Sequence, residues 1–244
     1  MGINVIQLTV AVITCDGEAF QLKRLICTVG TELSQRRVET TFSSHKSRVT
    51  VFTVEETDVV LLVLKPFKRA DVDSEKLCVL ETAISKFGKA PSIIVHNAGW
   101  SYPNKSGLEV AMEQFDWLFS VKVRSVYVAS KVLIPEMKKN GHSSTVVISS
   151  VSSATKVNGL RIARDQLRFN TICPTSGNTP LLNKFAGIAD GPVPTEIIKA
   201  KCESIPIGRL VGPSDVANVA LFLAELASSI ISEVEILVDG ARCV

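Results

Sequence analysis

Short runs of consecutive apolar residues, each ending in a polar or glycine-containing turn, recur along this chain. The clearest is Ser92–Gly99, in which four apolar positions stop abruptly at Asn97 and Gly99. Such a run is typical of a fully buried strand in a parallel sheet. We expect further strands at 8–14, 47–55, 58–64, 145–150, 167–173 and 233–238.

Helical periodicity lies between these runs. Residues 71–87 are amphipathic, and 108–139 carry a longer pattern that we expect to break near Pro135 and to stop at Asn140-Gly141. A third predicted helix, 215–226, would be capped by Ser214, and a short helix is expected within the loop 180–202. Strands that alternate with helices predict an α/β fold: a single domain, 1–244, built on a doubly wound, Rossmann-like parallel sheet.

Composition and charge narrow the classes of partner. The 244 residues carry a net charge of only +3 and no basic tract with interleaved aromatic residues, so nucleic acid is not an expected partner. The longest apolar runs are too short to span a bilayer. The first residues lack the basic region of a signal peptide, and the six cysteines form no CxxC pair or Cys/His cluster. We therefore expect a cytoplasmic protein with reduced thiols and no metal site.

Eight short segments between Lys68 and the C-terminus occur in a characteristic order. They are Ala70-Asp71-Val72, His96-Asn97-Ala98-Gly99, Val121-Lys122-Val123-Arg124, Val146–Ser150, Leu167–Pro174, Thr179–Leu182, Ile207–Leu210 and Val238-Asp239-Gly240. Together they resemble the short-chain dehydrogenase/reductase family. The resemblance implies a Rossmann-type sheet that binds NAD or NADP, and hydride transfer between the nicotinamide and a small carbonyl compound or alcohol.

The resemblance also implies roles for individual residues. By position, Asp71 would contact the adenine, Asn97 the adenine ribose region, and Arg124 would lie close to the cofactor. Thr179 would contact the nicotinamide amide or the pyrophosphate. Ser150 would be the hydroxyl that polarises the substrate carbonyl. For each of these residues, an ordinary surface or strand-end role is the alternative.

The first departure from the family is in its glycine-rich turn, Thr-Gly-x-x-x-Gly-x-Gly, which brings the backbone close to the pyrophosphate. Thr14 is retained as a cofactor-binding candidate, but Cys15, Ala19 and Gln21 stand at the three glycine positions. Side chains at these positions hinder the tight turn and the approach of a phosphate. We therefore expect weak cofactor binding.

The second departure concerns the family's catalytic Tyr, expected about a dozen residues after the Ser and followed by a Lys four residues on. Ala163 stands about thirteen residues after Ser150, and no Tyr follows Tyr127. The match Tyr127-x-x-x-Lys131 precedes the Ser-bearing strand and reads as an ordinary helical pair. Lys122 replaces an Asn that supports proton transfer in the family. Of the family's four catalytic residues, Asn, Ser, Tyr and Lys, the sequence therefore retains only the Ser, at position 150.

Two functions from different classes remain open. The chain is by ancestry an NAD(P)-dependent oxidoreductase with impaired catalysis, or it is a non-catalytic, partner-binding member or the product of a damaged gene. Residues 15–65 diverge from the family, and only fifteen residues, 152–166, link two predicted parallel strands. That link leaves little room for a packed helix. We therefore expect a partly exposed sheet face, which would favour a homo-oligomer or another protein partner.

Overall fold

The structure is a computed structural model. It describes residues 80–81, 84–85, 90–97, 101–141, 143–150, 165–177, 179, 181–188 and 191–243, together with the backbone of five strands between residues 9 and 63. The helix predicted at 71–87 and the link at 152–166 lie largely outside these residues.

A seven-stranded sheet has its strands in chain order: β3 (Arg37–Ser44), β4 (Ser47–Val54), β5 (Val60–Val63), β6 (Ile93–His96), β7 (Ser143–Ile148), β8 (Leu167–Pro174) and β9 (Glu235–Val238). The pairs β3/β4 and β4/β5 are antiparallel, and every pair from β5 to β9 is parallel.

The parallel part of this sheet confirms the predicted Rossmann-like α/β fold. Val95 of β6 pairs with Val146 of β7, and Ile172 of β8 pairs with Ile236 of β9. Parallel neighbours must be joined by crossovers that return the chain to the same end of the sheet. The carboxyl ends of β6 to β9 therefore lie along one edge.

The first strand of the chain stands apart from this sheet. Strand β1 (Thr9–Val12) pairs antiparallel with β2 (Leu22–Ile26) in a separate two-stranded sheet. The place beside β6 is taken by β5, where Leu62 pairs with Ile94. The structure thus confirms a strand within each of the predicted ranges 8–14, 47–55 and 58–64.

One helix covers the face of the sheet that Ile93 and Val95 share. Helix α5 (Pro213–Ala224) buries Val216, Ala217 and other residues against these strands. The hydroxyl of Ser144 in β7 also donates a 2.7 Å hydrogen bond to the carbonyl of Leu223. The buried members of this core are Ile93, Val95, Val146, Ile172, Val211, Val216, Ala217, Ala220, Leu221 and Leu223.

The opposite face of β8 is also closed to solvent. Successive side chains of a strand point to opposite faces, so Phe169, Thr171 and Cys173 lie away from the core that includes Ile172. These three residues keep only 4%, 5% and 1% of their surface exposed. We expected this face of the sheet to be partly exposed, and at β8 that expectation is wrong.

The long helical pattern continues through Pro135 instead of breaking there. Helix α1 (Met112–Phe119), a π-helical turn (Ser120–Arg124) and helix α2 (Ser125–Met137) follow without interruption. Pro135 removes one backbone donor, and the α-helix ends two residues later, at Met137. The irregularity is the π turn, and the predicted stop is confirmed by Gly141, whose φ is 78°.

The start of α5 differs from the prediction. Gly212 is the N-cap, Pro213 is the first helical residue, and Ser214 makes no cap hydrogen bond. The carboxylate of Asp215 accepts a 2.8 Å hydrogen bond from the Gly212 N–H. Because Pro213 begins the helix, Ser214 lies inside the first turn and cannot act as the cap.

The remaining elements are short. Helices α3 (Leu181–Phe185) and α4 (Thr195–Glu203) occupy the segment predicted as a loop with a short helix. The last strand begins at Glu235, because Glu233 has a φ of 61° that a strand cannot include. Short 3₁₀ turns lie at Gly107–Glu109, Lys138–Asn140 and Leu226–Ser228.

Among the described residues, no helix has the length and apolar character needed to cross a membrane.

Candidate active site

Polar residues directly follow four neighbouring parallel strands. Asn97 follows β6, Ser149 follows β7, Thr175 follows β8 and Asp239 follows β9. In open α/β sheets, ligands bind in the crevice outside the carboxyl ends of the strands. This edge is therefore the candidate site.

The β6 end contributes a buried amide. Asn97 keeps 5% of its surface exposed, as does His96 before it. His96 pairs with Val147, so Asn97 lies beside the end of β7. The expected position of Asn97 at a strand end is confirmed, and its contact with a cofactor stays a prediction.

Ser150, the predicted catalytic hydroxyl, lies just beyond β7. The Ser149 N–H donates a 2.8 Å hydrogen bond to the carbonyl of Ile172 and so extends the pairing of β7 with β8 by one residue. This pairing holds Ser150 at the edge of the sheet. Its catalytic role stays a prediction.

A thiol that the sequence did not single out lies next to Ser150. Burial raises the pKa of the Cys173 thiol, the charge of Glu235 raises it further, and a hydrogen bond from the Ser150 backbone opposes both. Cys173 is therefore a neutral thiol at neutral pH and a poor nucleophile. Among the described cysteines, Cys173, Cys202 and Cys243 are free. No described group of three or more His, Cys, Asp or Glu side chains is placed to hold a metal ion.

The loop after β8 carries the next hydroxyls. The Thr175 N–H donates to the carbonyl of Val238 at 3.2 Å, and the Arg242 guanidinium donates to Thr175 Oγ1 at 3.3 Å. Thr179 is half-buried, and its N–H donates to the carbonyl of Gly177 at 3.0 Å. Thr179 thus lies in the same loop that starts at this edge.

Arg124, a predicted cofactor-binding residue, lies in the π turn together with Lys122, which replaces the family's Asn. Arg124 is exposed and lines a groove whose described lining comes from residues 116–127. Loss of hydration lowers the pKa of Lys122 from its ordinary value, although part of the side chain is exposed. Among the described residues no hydrogen bond or ion pair joins Arg124 to a strand-end residue, and its role beside a cofactor stays a prediction.

Thr14 and Asp71 lie outside the described residues, as do Cys15, Ala19 and Gln21 of the altered first turn. The described residues at the carboxyl ends of β6 to β9 carry hydrogen-bonding groups that can be compared with those of a nucleotide. A buried amide at Asn97 and hydroxyls at Thr175 and Thr179 suit the neutral, hydrogen-bonding parts of a nicotinamide nucleotide, its ribose hydroxyls and carboxamide. The described edge fits these parts.

Comparisons with known proteins agree with this geometry. The family model described as "Enoyl-(Acyl carrier protein) reductase" matches residues 65–162 and 150–241. The two matches overlap at 150–162, the segment in which the sequence lacks part of the family pattern. The first match begins close to Lys68, where the resemblance was expected to begin.

Characterised relatives and a solved structure are also similar. The chain is 31% identical over 189 residues to 4-formylbenzenesulfonate dehydrogenase TsaC1/TsaC2 of Comamonas testosteroni, covering 70% of this chain and 73% of that protein. It is 30% identical to 7alpha-hydroxysteroid dehydrogenase of Escherichia coli, and the match covers 70% of this chain and 72% of that protein. The crystal structure of 3-ketoacyl-(acyl-carrier-protein) reductase from Brucella melitensis complexed with NADH matches with a TM-score of 0.63 at 32% identity, covering 72% of this chain and 77% of that one. The chain therefore belongs to the short-chain dehydrogenase/reductase family of NAD(P)-dependent oxidoreductases.

Proposed function

We propose that this protein binds NAD or NADP at the edge formed by β6 to β9 and catalyses slow hydride transfer to or from a small carbonyl compound or alcohol. The observation that carries the proposal is the position of Ser150, two residues beyond the end of β7 and at the same edge as Asn97. The relatives named as dehydrogenases support this class of reaction.

Each retained residue has a defined task. The Asn97 amide and the Thr179 hydroxyl would hold the nucleotide by hydrogen bonds. The nicotinamide, when bound, supplies or accepts the hydride. The Ser150 hydroxyl would donate a hydrogen bond to the substrate oxygen and so favour the charge that develops there.

The absence of the family's catalytic Tyr determines the rate of turnover that we expect. Reduction of a carbonyl needs a proton at the oxygen, and a positioned acid contributes about 100- to 10,000-fold to such a step. The sequence contains only two Tyr, at 102 and 127, and both precede the Ser-bearing strand. In the absence of the family's Tyr, the proton would come from water, so we expect turnover to be slow by about this factor.

The test is oxidation of NADH and NADPH by the purified full chain with a panel of small aldehydes and ketones. We expect slow, saturable oxidation that falls at least tenfold in Ser150→Ala. Ser149→Ala is the matched control, because it removes a neighbouring hydroxyl and leaves Ser150 in place. Equal rates in the wild-type chain and in Ser150→Ala would contradict the role of Ser150.

A non-catalytic, partner-binding role is the second candidate. It is favoured by Cys15, Ala19 and Gln21, which stand where the family has the glycines that approach the pyrophosphate. The two candidates differ in nucleotide binding. A folded chain that binds neither NADH nor NADPH would support the second.

A further inference from the structure

The guanidinium of Arg242 lies at the carboxyl end of the sheet, where the proposed function gives it no task. It donates hydrogen bonds of 3.3 Å to Thr175 Oγ1 and 3.4 Å to Ser176 Oγ. These two hydroxyls directly follow β8. A residue near the end of the chain is thereby brought to the same edge of the sheet as Ser150.

A tight turn around the Asp239 side chain fixes the position of Arg242. The carboxylate of Asp239 is buried and accepts hydrogen bonds from the N–H groups of Ala241 at 3.1 Å and Cys243 at 2.9 Å. The Arg242 N–H donates to the Asp239 carbonyl at 3.3 Å. The backbone of Arg242 is therefore held in place, and its side chain reaches back to the end of β8.

The guanidinium of Arg242 has donors that the described residues do not use. Arg242 is exposed, and both of its side-chain hydrogen bonds start from Nη1. Among the described residues, Arg242 forms no ion pair, and its Nε and Nη2 donate to none of them. A guanidinium binds a carboxylate or a phosphate best through two parallel hydrogen bonds. The edge of the guanidinium that carries Nε and Nη2 suits such an oxyanion.

The register of β7 with β8 places this guanidinium close to the proposed catalytic hydroxyl. The backbone N–H of Ser150 donates a hydrogen bond to the thiol of Cys173, and Thr175 lies two residues further along the chain. Two extended residues cover about 7 Å, and neighbouring strands lie about 4.8 Å apart. The guanidinium beside Thr175 therefore lies about 6–10 Å from Ser150 along the edge.

We propose that Arg242 binds an anionic group of the substrate, and that the substrate is a small aldehyde or ketone, or the corresponding alcohol, that carries a carboxylate or a phosphate. This inference rests on the proposed function, because it takes the carbonyl oxygen to be bound by the Ser150 hydroxyl. The oxyanion accepts hydrogen bonds from Nε and Nη2 of Arg242. The spacing selects substrates whose two groups are separated by about the width of one aromatic ring.

The first test measures binding in the absence of any nucleotide. The probe is 4-formylbenzoate, its neutral counterpart is the methyl ester, and binding to the full chain is followed by ligand-observed NMR. We expect saturable binding of the acid in the millimolar range, as suits a ligand of this size. Arg242→Gln should weaken it at least about tenfold, through loss of hydrogen bonds to a charged group.

Two further variants make this test specific to the guanidinium. Lys139→Gln is the matched control, because it also removes one exposed positive charge but lies just before β7, at the opposite edge of the sheet. It should bind the acid like the wild type. Arg242→Lys keeps the charge but loses the planar fork, so we expect an affinity between those of the wild type and Arg242→Gln. Thermal melts verify that each variant is folded.

The second test compares turnover of the acid and the ester with NADH. The ratio of their kcat/KM values should favour the acid in the wild-type chain and fall at least about tenfold in Arg242→Gln, mainly through a higher KM for the acid. The phosphates of the nucleotide are the other oxyanions present. Titration with NADH alone separates them, and we expect its affinity in Arg242→Gln to stay within about twofold of the wild type.

Three results would overturn the proposal. The first is that the acid binds no better than the ester, or shows no saturable binding at tens of millimolar. The second is equal affinity of the wild type and Arg242→Gln for the acid. The third is a tenfold loss of NADH affinity in Arg242→Gln, which would assign the residue to a phosphate of the nucleotide. If NADH does not bind the wild-type chain, the proposed function fails, whereas the titration without nucleotide still tests the anion site.

Discussion

The side chain of Asn170 holds Val234 beside strand β8. Asn170 Oδ1 accepts a 3.2 Å hydrogen bond from the Val234 N–H, and Asn170 Nδ2 donates to the carbonyl of Ile231 at 3.0 Å. Asn170 is 1% exposed. The amide thus fixes the turn before β9, the strand whose Val238 carbonyl accepts from Thr175 at the candidate site.

Removal of the Asn170 amide tests this relationship. Asn170→Ala deletes two part-buried hydrogen bonds of a buried amide side chain, so we expect the free energy of unfolding to fall by about 2 kcal/mol. Asn183→Ala is the control, because its 2.7 Å bond to the Gly191 carbonyl is exposed, and it should cost about 0.5 kcal/mol or less. Urea denaturation measures both, and equal losses would contradict the account.

Gly240 packs directly against Ile207. Its φ is +62°, and a Cβ there would lie 2.5 Å from Ile207 Cγ2 and 2.7 Å from Ile205 Cγ2. We expect Gly240→Ala to lower the free energy of unfolding by about 2–4 kcal/mol through strain and overpacking together. Gly208→Ala is the matched control, since Gly208 also has a positive φ but open space around it, and should lose only about 1 kcal/mol. Thermal melts compare the two, and equal shifts would argue against close packing at Gly240.

The cap of α5 predicts a contrast between adjacent residues. Asp215→Ala removes the carboxylate that accepts from the Gly212 N–H, so the free energy of unfolding should fall by about 1 kcal/mol. Ser214→Ala should change it by less than about 0.5 kcal/mol, because Ser214 makes no cap hydrogen bond. The opposite ranking in chemical denaturation would restore Ser214 as the cap.

The same carboxylate predicts a dependence on pH. The hydrogen bond from Arg209 is the largest of the effects that lower the pKa of Asp215 below its ordinary value of 3.8. A lowered pKa in the folded state means that Asp215 stabilises the fold above the unfolded pKa, and that this contribution is lost as pH falls through the folded one. The stability difference between the wild-type chain and Asp215→Ala should stay constant from about pH 5 upward and narrow below about pH 3.8. A difference that does not change with pH in denaturation curves would contradict an ionised Asp215 cap.

The sequence predicts the parallel strands well for a physical reason. Ile93, Ile94 and Val95 are all buried, because the strand is covered on both faces, and such strands appear as uninterrupted apolar runs. The π turn at Ser120–Arg124 was missed, since it depends on backbone hydrogen bonds and not on side-chain periodicity. The cap at Gly212 was missed because glycine has no capping side chain of its own, and the hydrogen bond there is accepted by Asp215. The pairing of β5 with β6 was also unpredictable, because local sequence does not determine which strands become neighbours.

The candidate site also contains residues that the sequence located and contacts that it did not. Asn97 and Ser150 are found at strand ends because a strand's carboxyl end can be located from its apolar run. The contact between Cys173 and the Ser150 backbone depends on the register of β7 with β8. The hydrogen bond from Arg242 to Thr175 joins residues 67 positions apart, and no short-range pattern signals it.

Titration of the purified full chain with NADH in a calorimeter tests the central claim, that the edge of the sheet still binds a nicotinamide nucleotide. We predict weak but saturable binding that weakens at least about tenfold in Asn97→Ala, through loss of a hydrogen bond in a buried site. Asn183→Ala, an exposed change, should bind like the wild type. Absence of binding up to millimolar NADH and NADPH, in a chain shown to be folded by its thermal melt, would contradict the claim and leave the non-catalytic role.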